Sequence, residues 1–122
     1  MTTYQAAYKV DRREWTAVCP LSRLIPNRGV AALLPDGRQA AVFRTHADEL
    51  FAVSNVDPIS SAAVLSRGIV GDRDGRPVVF SPVYKQAFDL RTGICLEEET
   101  VSVEVFAVRL DDGMVFVDST PI

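Results

Sequence analysis

Apolar and polar positions along this chain recur mostly with a period of two, the signature of strands with one face buried. In Glu14–Cys19, Trp15, Ala17 and Cys19 alternate with Thr16 and Val18. Pro20-Leu21-Ser22-Arg23-Leu24-Ile25-Pro26 is bounded by prolines and has room for no more than one helical turn. Val30–Leu34 is a short apolar run, Pro35-Asp36-Gly37 a strong turn, and Arg38–Arg44, rich in Ala, Val and Phe, its hairpin partner. Glu49–Ser54 follows a polar turn at His46, so these three runs predict a meander.

From Asn55 to Arg76 the alternation fades. The helix candidate there is Ser60–Leu65, behind Pro58, and Arg67-Gly68, Gly71-Asp72 and Asp74-Gly75 are all turn chemistry. A connection of this length inside a small domain is uncommon and often functional. Short strands are expected again at Pro77–Ser81 and Ala87–Leu90, separated by a loop at Ser81–Gln86 and closed by Arg91-Thr92-Gly93. Val101–Leu110 alternates cleanly, Asp111-Asp112-Gly113 is a hairpin turn, and Met114–Asp118 returns. Short strands with turns every ~10 residues predict an all-β fold, an antiparallel sandwich or small barrel.

At 122 residues the chain suits one domain over residues 1–122. Its 48% hydrophobic and 24% charged residues allow a core that needs no staples. No apolar run is long enough to span a bilayer, and Met1-Thr2-Thr3-Tyr4-Gln5 lacks the flank of a signal peptide, so the cytoplasm is the expected location. The net charge of −3 argues against a nucleic-acid partner. Charge is uneven: residues 1–44 hold seven basic and three acidic side chains, residues 97–122 one and seven. Such an imbalance serves either solvated strand faces that pair in space or an acidic surface that steers a basic partner.

Candidate chemistry is sparse. Cys19 and Cys95 lie in strand contexts and read as core thiols, and His46 as a surface turn histidine. No Cys/His spacing suits a zinc site. Glu97-Glu98-Glu99 is contiguous, so neighbours on a strand would face opposite ways and make a poor acid/base pair. No phosphate loop or nucleophile elbow is present. From the residues alone the chain is a small all-β domain with two functional-looking loops, at about 55–70 and 81–86.

Those loops carry a resemblance. Ser81-Pro82-Val83-Tyr84, followed by Phe88-Asp89 and Thr92-Gly93, is similar to the second cluster loop of a Rieske domain, Cys-Pro-x-His with Phe-Asp and Thr-Gly behind it. Asn55-Val56-Asp57-Pro58 lies where Cys-x-His forms the first loop, and Ala63-Val64-Leu65-Ser66-Arg67-Gly68 looks like the segment that follows. Two thiolates and two imidazoles hold the [2Fe–2S] cluster in such domains. By this resemblance Asn55 and Ser81 stand for the cysteines, Asp57 and Tyr84 for the histidines, and the set is oxygen-based, unsuited to iron–sulfur chemistry. Leu65-Ser66-Arg67-Gly68-Ile69-Val70-Gly71 together with Ser81-Pro82-x-Tyr84-Lys85-Gln86 resembles the small subunit of cytoplasmic NAD(P)H-dependent nitrite reductases, over residues 13–118.

The resemblance implies a Rieske-like fold with emptied cluster loops and an accessory, non-redox role in the reduction of nitrite to ammonium. It implies no cofactor and no catalytic activity in this chain alone, and a large partner subunit carrying FAD, an iron–sulfur cluster and siroheme. Asn55, Asp57 and Ser81 would staple the loops through hydrogen bonds to nearby backbone. Tyr84, Lys85 and Arg67 are candidate partner contacts, with Arg67 alternatively an anion ligand or the ion-pair partner of Asp72 or Asp74. Two rivals stay open at this point: an electron-carrying ferredoxin with an unorthodox cluster, and a free-standing small-molecule binding module.

Overall fold

The computed structural model describes residues 14–122. The reading of Met1–Gln5 and the outer boundary of the domain at residues 1–13 lie outside them.

Among the described residues nine strands form: β1 Trp15–Pro20, β2 Arg28–Leu33, β3 Gln39–Arg44, β4 Leu50–Ser54, β5 Ile69–Arg73, β6 Arg76–Phe80, β7 Ala87–Asp89, β8 Val105–Asp111 and β9 Met114–Pro121. They build a six-stranded antiparallel sheet in the order β1-β9-β8-β4-β3-β2 and a three-stranded sheet in the order β5-β6-β7. The predicted meander is β2-β3-β4, with Ala31 opposite Ala41 and Val42 opposite Ala52. Asp112 and Gly113, both at positive φ, close the β8–β9 hairpin.

The unbroken apolar run Ala40-Ala41-Val42-Phe43 fits a central strand buried on both faces. Ala40 and Val42 join Ala32, Ala52, Phe106, Val115 and Val117 in one core. All six strands of the larger sheet contribute to that core, so the sheet curls around it. Ala41 and Phe43 point the other way and pack with Val53, Leu65, Val79, Phe88 and Val103 in a second core, which glues the smaller sheet to the larger. The two loops emerge from this junction: one follows β4 and the other follows β6.

Four expectations need correction. Residues 55–76 are not one long connection, because β5 pairs with β6 through five residues, from Ile69–Phe80 to Arg73–Arg76. Ser60–Leu65 is not a helix. The Asp57 carboxylate accepts the Ile59 and Ser60 N–H groups as a helix cap would, but Ser61 takes a φ of +63°, which ends the turn at once. A short 3-10 turn forms instead at Leu65–Arg67. Val101–Leu110 is not one strand. Cys95 donates to the Val101 carbonyl and Val103 to that of Gly93, so this stretch borders the smaller sheet before the chain enters the larger one at Val105. The alternation at β1 is also broken, by a bulge between Ala17 and Cys19 that lets Val18 and Cys19 both pack on the curled-sheet core.

Candidate functional site

The two loops meet, and three of the four residues singled out from the sequence hold them. Asn55, just past β4, is buried. Its Nδ2 donates to Gln39 Oε1 at 2.9 Å, and its Oδ1 accepts the Ser66 N–H at 2.7 Å. Its own carbonyl accepts the Leu65 N–H at 3.0 Å. Asn55 thereby pins the 3-10 turn against the end of β4.

Asp57 is completely buried. One carboxylate oxygen takes the Ile59 and Ser60 N–H groups, at 2.8 and 3.4 Å, and the other accepts the Ser81 hydroxyl at 2.5 Å. This last bond crosses between the loops. Ser81, itself buried, accepts the Val83 N–H on its hydroxyl, accepts Lys85 N–H on its carbonyl, and donates its N–H to Gln86. Burial pushes the Asp57 carboxyl up, but the hydrogen bonds from Ser81, Ile59 and Ser60 outweigh it and hold the group below the usual carboxylate range. The pair is therefore a carboxylate and a hydroxyl donor, a short charge-assisted bond.

Close backbone approach completes the junction. A Cβ at Gly68 would collide with the Phe80 carbonyl oxygen and lie 2.8 Å from a Val79 methyl. The end of the first loop thus lies directly against β6, which carries the second. Gly68→Ala should force these segments apart and lower stability by about 2 kcal/mol, as overpacking does, a loss readable in the urea midpoint at constant m.

This donor set does not fit a [2Fe–2S] cluster. Such a cluster needs thiolates, with imidazoles on the second iron in a Rieske centre. Here the three buried positions offer an amide, one carboxylate and a hydroxyl, already committed to hydrogen bonds. Tyr84 is 58% exposed. His46 lies on the exposed turn after β3, Cys19 on β1 and Cys95 after β7. Burial pushes the Cys19 thiol up against the pull of Arg23, which makes it a poor thiolate. Among the described residues no three His, Cys, Asp or Glu side chains cluster as a metal site would require.

Residues 14–118 match the model of the Rieske-like [2Fe-2S] domain family. The small subunit of nitrite reductase (NADH) from Escherichia coli K12 is 43% identical over 103 residues, covering 84% of this chain and 94% of that protein. The chain belongs to the nitrite reductase small-subunit family. A solved structure from Mycobacterium tuberculosis, described as an NADH-dependent nitrite reductase small subunit, is 50% identical, with a TM-score of 0.87 over 92% of this chain and 100% of that one. A third relative differs in kind. The nitrite reductase [NAD(P)H] large subunit of Klebsiella oxytoca is 40% identical over 105 residues, 86% of this chain but 11% of that protein. In that organism a domain like this small subunit is part of the large polypeptide.

Within this small-subunit fold, Asp57 and Ser81 meet across the two loops and Asn55 pins the first loop to Gln39 and Ser66, whereas Tyr84 and Lys85 stand on the exposed side of the second loop. Lys85 holds a left-handed φ of +68°. Arg67 is exposed and pairs with neither Asp72 nor Asp74; the Asp72 carboxylate accepts the Gly75 N–H instead. Sequence reasoning singled out Tyr84 but missed the rest of the apolar rim of the site. Val56, Ile59, Val83 and Tyr84 are exposed within three residues of the Asp57–Ser81 bond. The available signal was apolar residues interleaved with Ser, Asn, Asp and Pro in a segment where solvated loops carry polar ones. Sequence reasoning also missed that Glu97 is structural: its carboxylate accepts the Ala87 N–H at 2.9 Å and pairs with Arg73 at 3.3 Å.

Proposed function

We propose that this chain is the accessory, non-redox small subunit of an NAD(P)H-dependent nitrite reductase, and that the rim around the Asp57–Ser81 bond docks on the large subunit. The observation that carries the non-redox part is the bond itself. At the junction where a Rieske-like domain would be tied by its cluster, an aspartate and a serine tie the loops instead. The protein part of the fold is kept while the electron-carrying part is replaced.

The Klebsiella oxytoca protein supports the partner. A segment like this chain resides in a polypeptide named as the large subunit, and domains joined in one chain in one organism commonly act together as separate chains in another. The exposed apolar residues at the rim, Val56, Ile59, Val83 and Tyr84, suit an interface core, with Lys85 beside them as a charged contact. The large subunit would carry FAD, an iron–sulfur cluster and siroheme, and the path of electrons from NAD(P)H to nitrite would lie entirely within it. This chain would complete and stabilise that enzyme. Among the described residues no helix is long and apolar enough to cross a membrane, and we place the complex in the cytoplasm.

Two measurements test the reading. The isolated chain, purified anaerobically, should hold substoichiometric iron and acid-labile sulfide and show no visible absorption band. Stoichiometric iron with sulfide would transfer it to the ferredoxin class. Mixed with the large subunit, the chain should co-elute and raise NAD(P)H-dependent nitrite reduction. A large subunit that reaches full turnover alone and never co-elutes would overturn the accessory role.

A further inference from the structure

Beside the loop junction, between the start of β2 and the 3-10 turn at Leu65–Arg67, runs a cleft of about 700 Å³. Its polar walls are Arg28, Arg67, Ser66 and Asn27, and its apolar walls are Pro26 and Ile69, the latter 70% exposed. No acidic residue lines it. Of the nine arginines among the described residues, Arg23, Arg28, Arg67 and Arg76 have no ion pair, and two of these four line this one cleft. Arg38, Arg44, Arg73, Arg91 and Arg109 each reach a carboxylate within 3.3 Å. Arg28 and Arg67 have no ion-pair partner among the described residues, yet the fold brings these two like charges to one cleft.

Two features fix that placement. The cleft floor is built on a close backbone approach, since a Cβ at Gly29 would lie 2.9 Å from the Ser66 carbonyl oxygen. The Ser66 N–H is held by Asn55, so the turn carrying Arg67 is tied to the loop junction rather than free. Arg28 and Arg67 are both exposed, so each can turn into the cleft, and an anion bound there would be drawn by two positive charges with no carboxylate beside them. Guanidinium forks match planar, two-oxygen acceptors through paired hydrogen bonds. The Ser66 hydroxyl and the Asn27 amide add donors at the same cleft.

We propose that this cleft is a binding site for a small planar oxyanion: nitrite, nitrate or a carboxylate. The ligand is either free in solution or a carboxylate presented by the large subunit. The site stands on this chain's own residues; only its link to nitrite turnover, or to the partner, rests on the function proposed above.

The test uses the full chain and simple probes. Sodium nitrite, nitrate and acetate are titrated separately at constant ionic strength, with chloride as the balancing ion, and the backbone amide shifts are followed by NMR. Saturating shifts confined to Arg28, Gly29, Ser66, Arg67 and Gly68 are expected, with a midpoint in the millimolar range typical of such contacts (about 1 mM). Arg28→Gln and Arg67→Gln should each raise the midpoint about tenfold, and Arg67→Lys should recover part of the loss. Arg76→Gln, an exposed arginine outside the cleft, should leave it unchanged. If free anions give no saturation but Arg28→Gln with Arg67→Gln weakens large-subunit binding about tenfold, with reduced salt dependence, the ligand is a partner carboxylate and the site stands. Linear, unsaturated shifts together with unchanged large-subunit affinity would overturn the proposal. Where the wild-type chain binds no large subunit at all, unsaturated titrations alone overturn it, and a saturating titration upholds it independently of the accessory role.

Discussion

Asp57→Ala is expected to lower the stability of this domain by about 3 kcal/mol, the range for stripping a buried, charge-assisted hydrogen-bond centre. The variant leaves the Ser81 hydroxyl and the Ile59 and Ser60 N–H groups without their acceptor. Hydrogen exchange should rise first in 55–70 and 81–86, since the lost bonds join those loops. Ser81→Ala should cost less, about 2 kcal/mol, and its penalty should depend on pH. The sign follows from the direction of the shift. The Asp57 carboxyl lies below its ordinary value in the folded state, so its contribution is complete above the unfolded pKa of about 4 and is lost as pH falls through the lower folded pKa. A protonated Asp57 no longer needs the donor from Ser81. The stability gap between wild type and Ser81→Ala should therefore be widest near neutrality and shrink below about pH 4. A gap that stays flat while the Asp57 carboxyl is seen by NMR to protonate in both folded forms would mean that Ser81 acts by packing alone.

The second large effect concerns association. Tyr84→Ala combined with Lys85→Glu should weaken binding to the large subunit by about 30-fold, the equivalent of roughly 2 kcal/mol. Both side chains are exposed, and neither belongs to a core. The thermal midpoint of the isolated chain should hence move little. Nitrite reduction by the reconstituted enzyme should fall at limiting small subunit and recover when it is added in excess. Failure to recover at saturation would indicate a role for the loop in turnover itself.

Much of this architecture could be read before any coordinates, where local chemistry decides it. The Pro35-Asp36-Gly37 and Asp111-Asp112-Gly113 turns and the meander between β2 and β4 depend on neighbouring residues, and they appear in the fold as expected. β5 did not show, because Ile69-Val70-Gly71-Asp72-Arg73 carries a glycine and two charges, and only Val70 is buried. Its extended form is imposed by pairing with β6, a contact that local propensity does not encode. The transfer of Val101–Val103 toward the smaller sheet was hidden for the same reason: a clean alternation says which face is buried, not against which sheet. In the candidate site, the convergence of Asp57 and Ser81 followed from motif resemblance. The clamp by Gln39 and the cleft residue Arg28 did not, since both depend on contacts across the meander. Asp57 also takes the Ile59 and Ser60 N–H groups as a cap would, and it is the positive φ of Ser61 that keeps Ser60–Leu65 from becoming a helix.

The docking face is the claim on which the functional account turns, and a side-by-side titration of the large subunit tests it most directly. Three forms of this chain would be compared by calorimetry: wild type, Tyr84→Ala with Lys85→Glu, and Glu98→Lys with Glu99→Lys. Glu97 is left intact, because it holds Ala87 and Arg73 in place. The account predicts a loss of about 30-fold for the loop-tip form and an affinity near wild type for the acidic-segment form. Wild-type affinity for the loop-tip form, with binding lost on reversing Glu98 and Glu99, would contradict it and place the interface on the acidic segment.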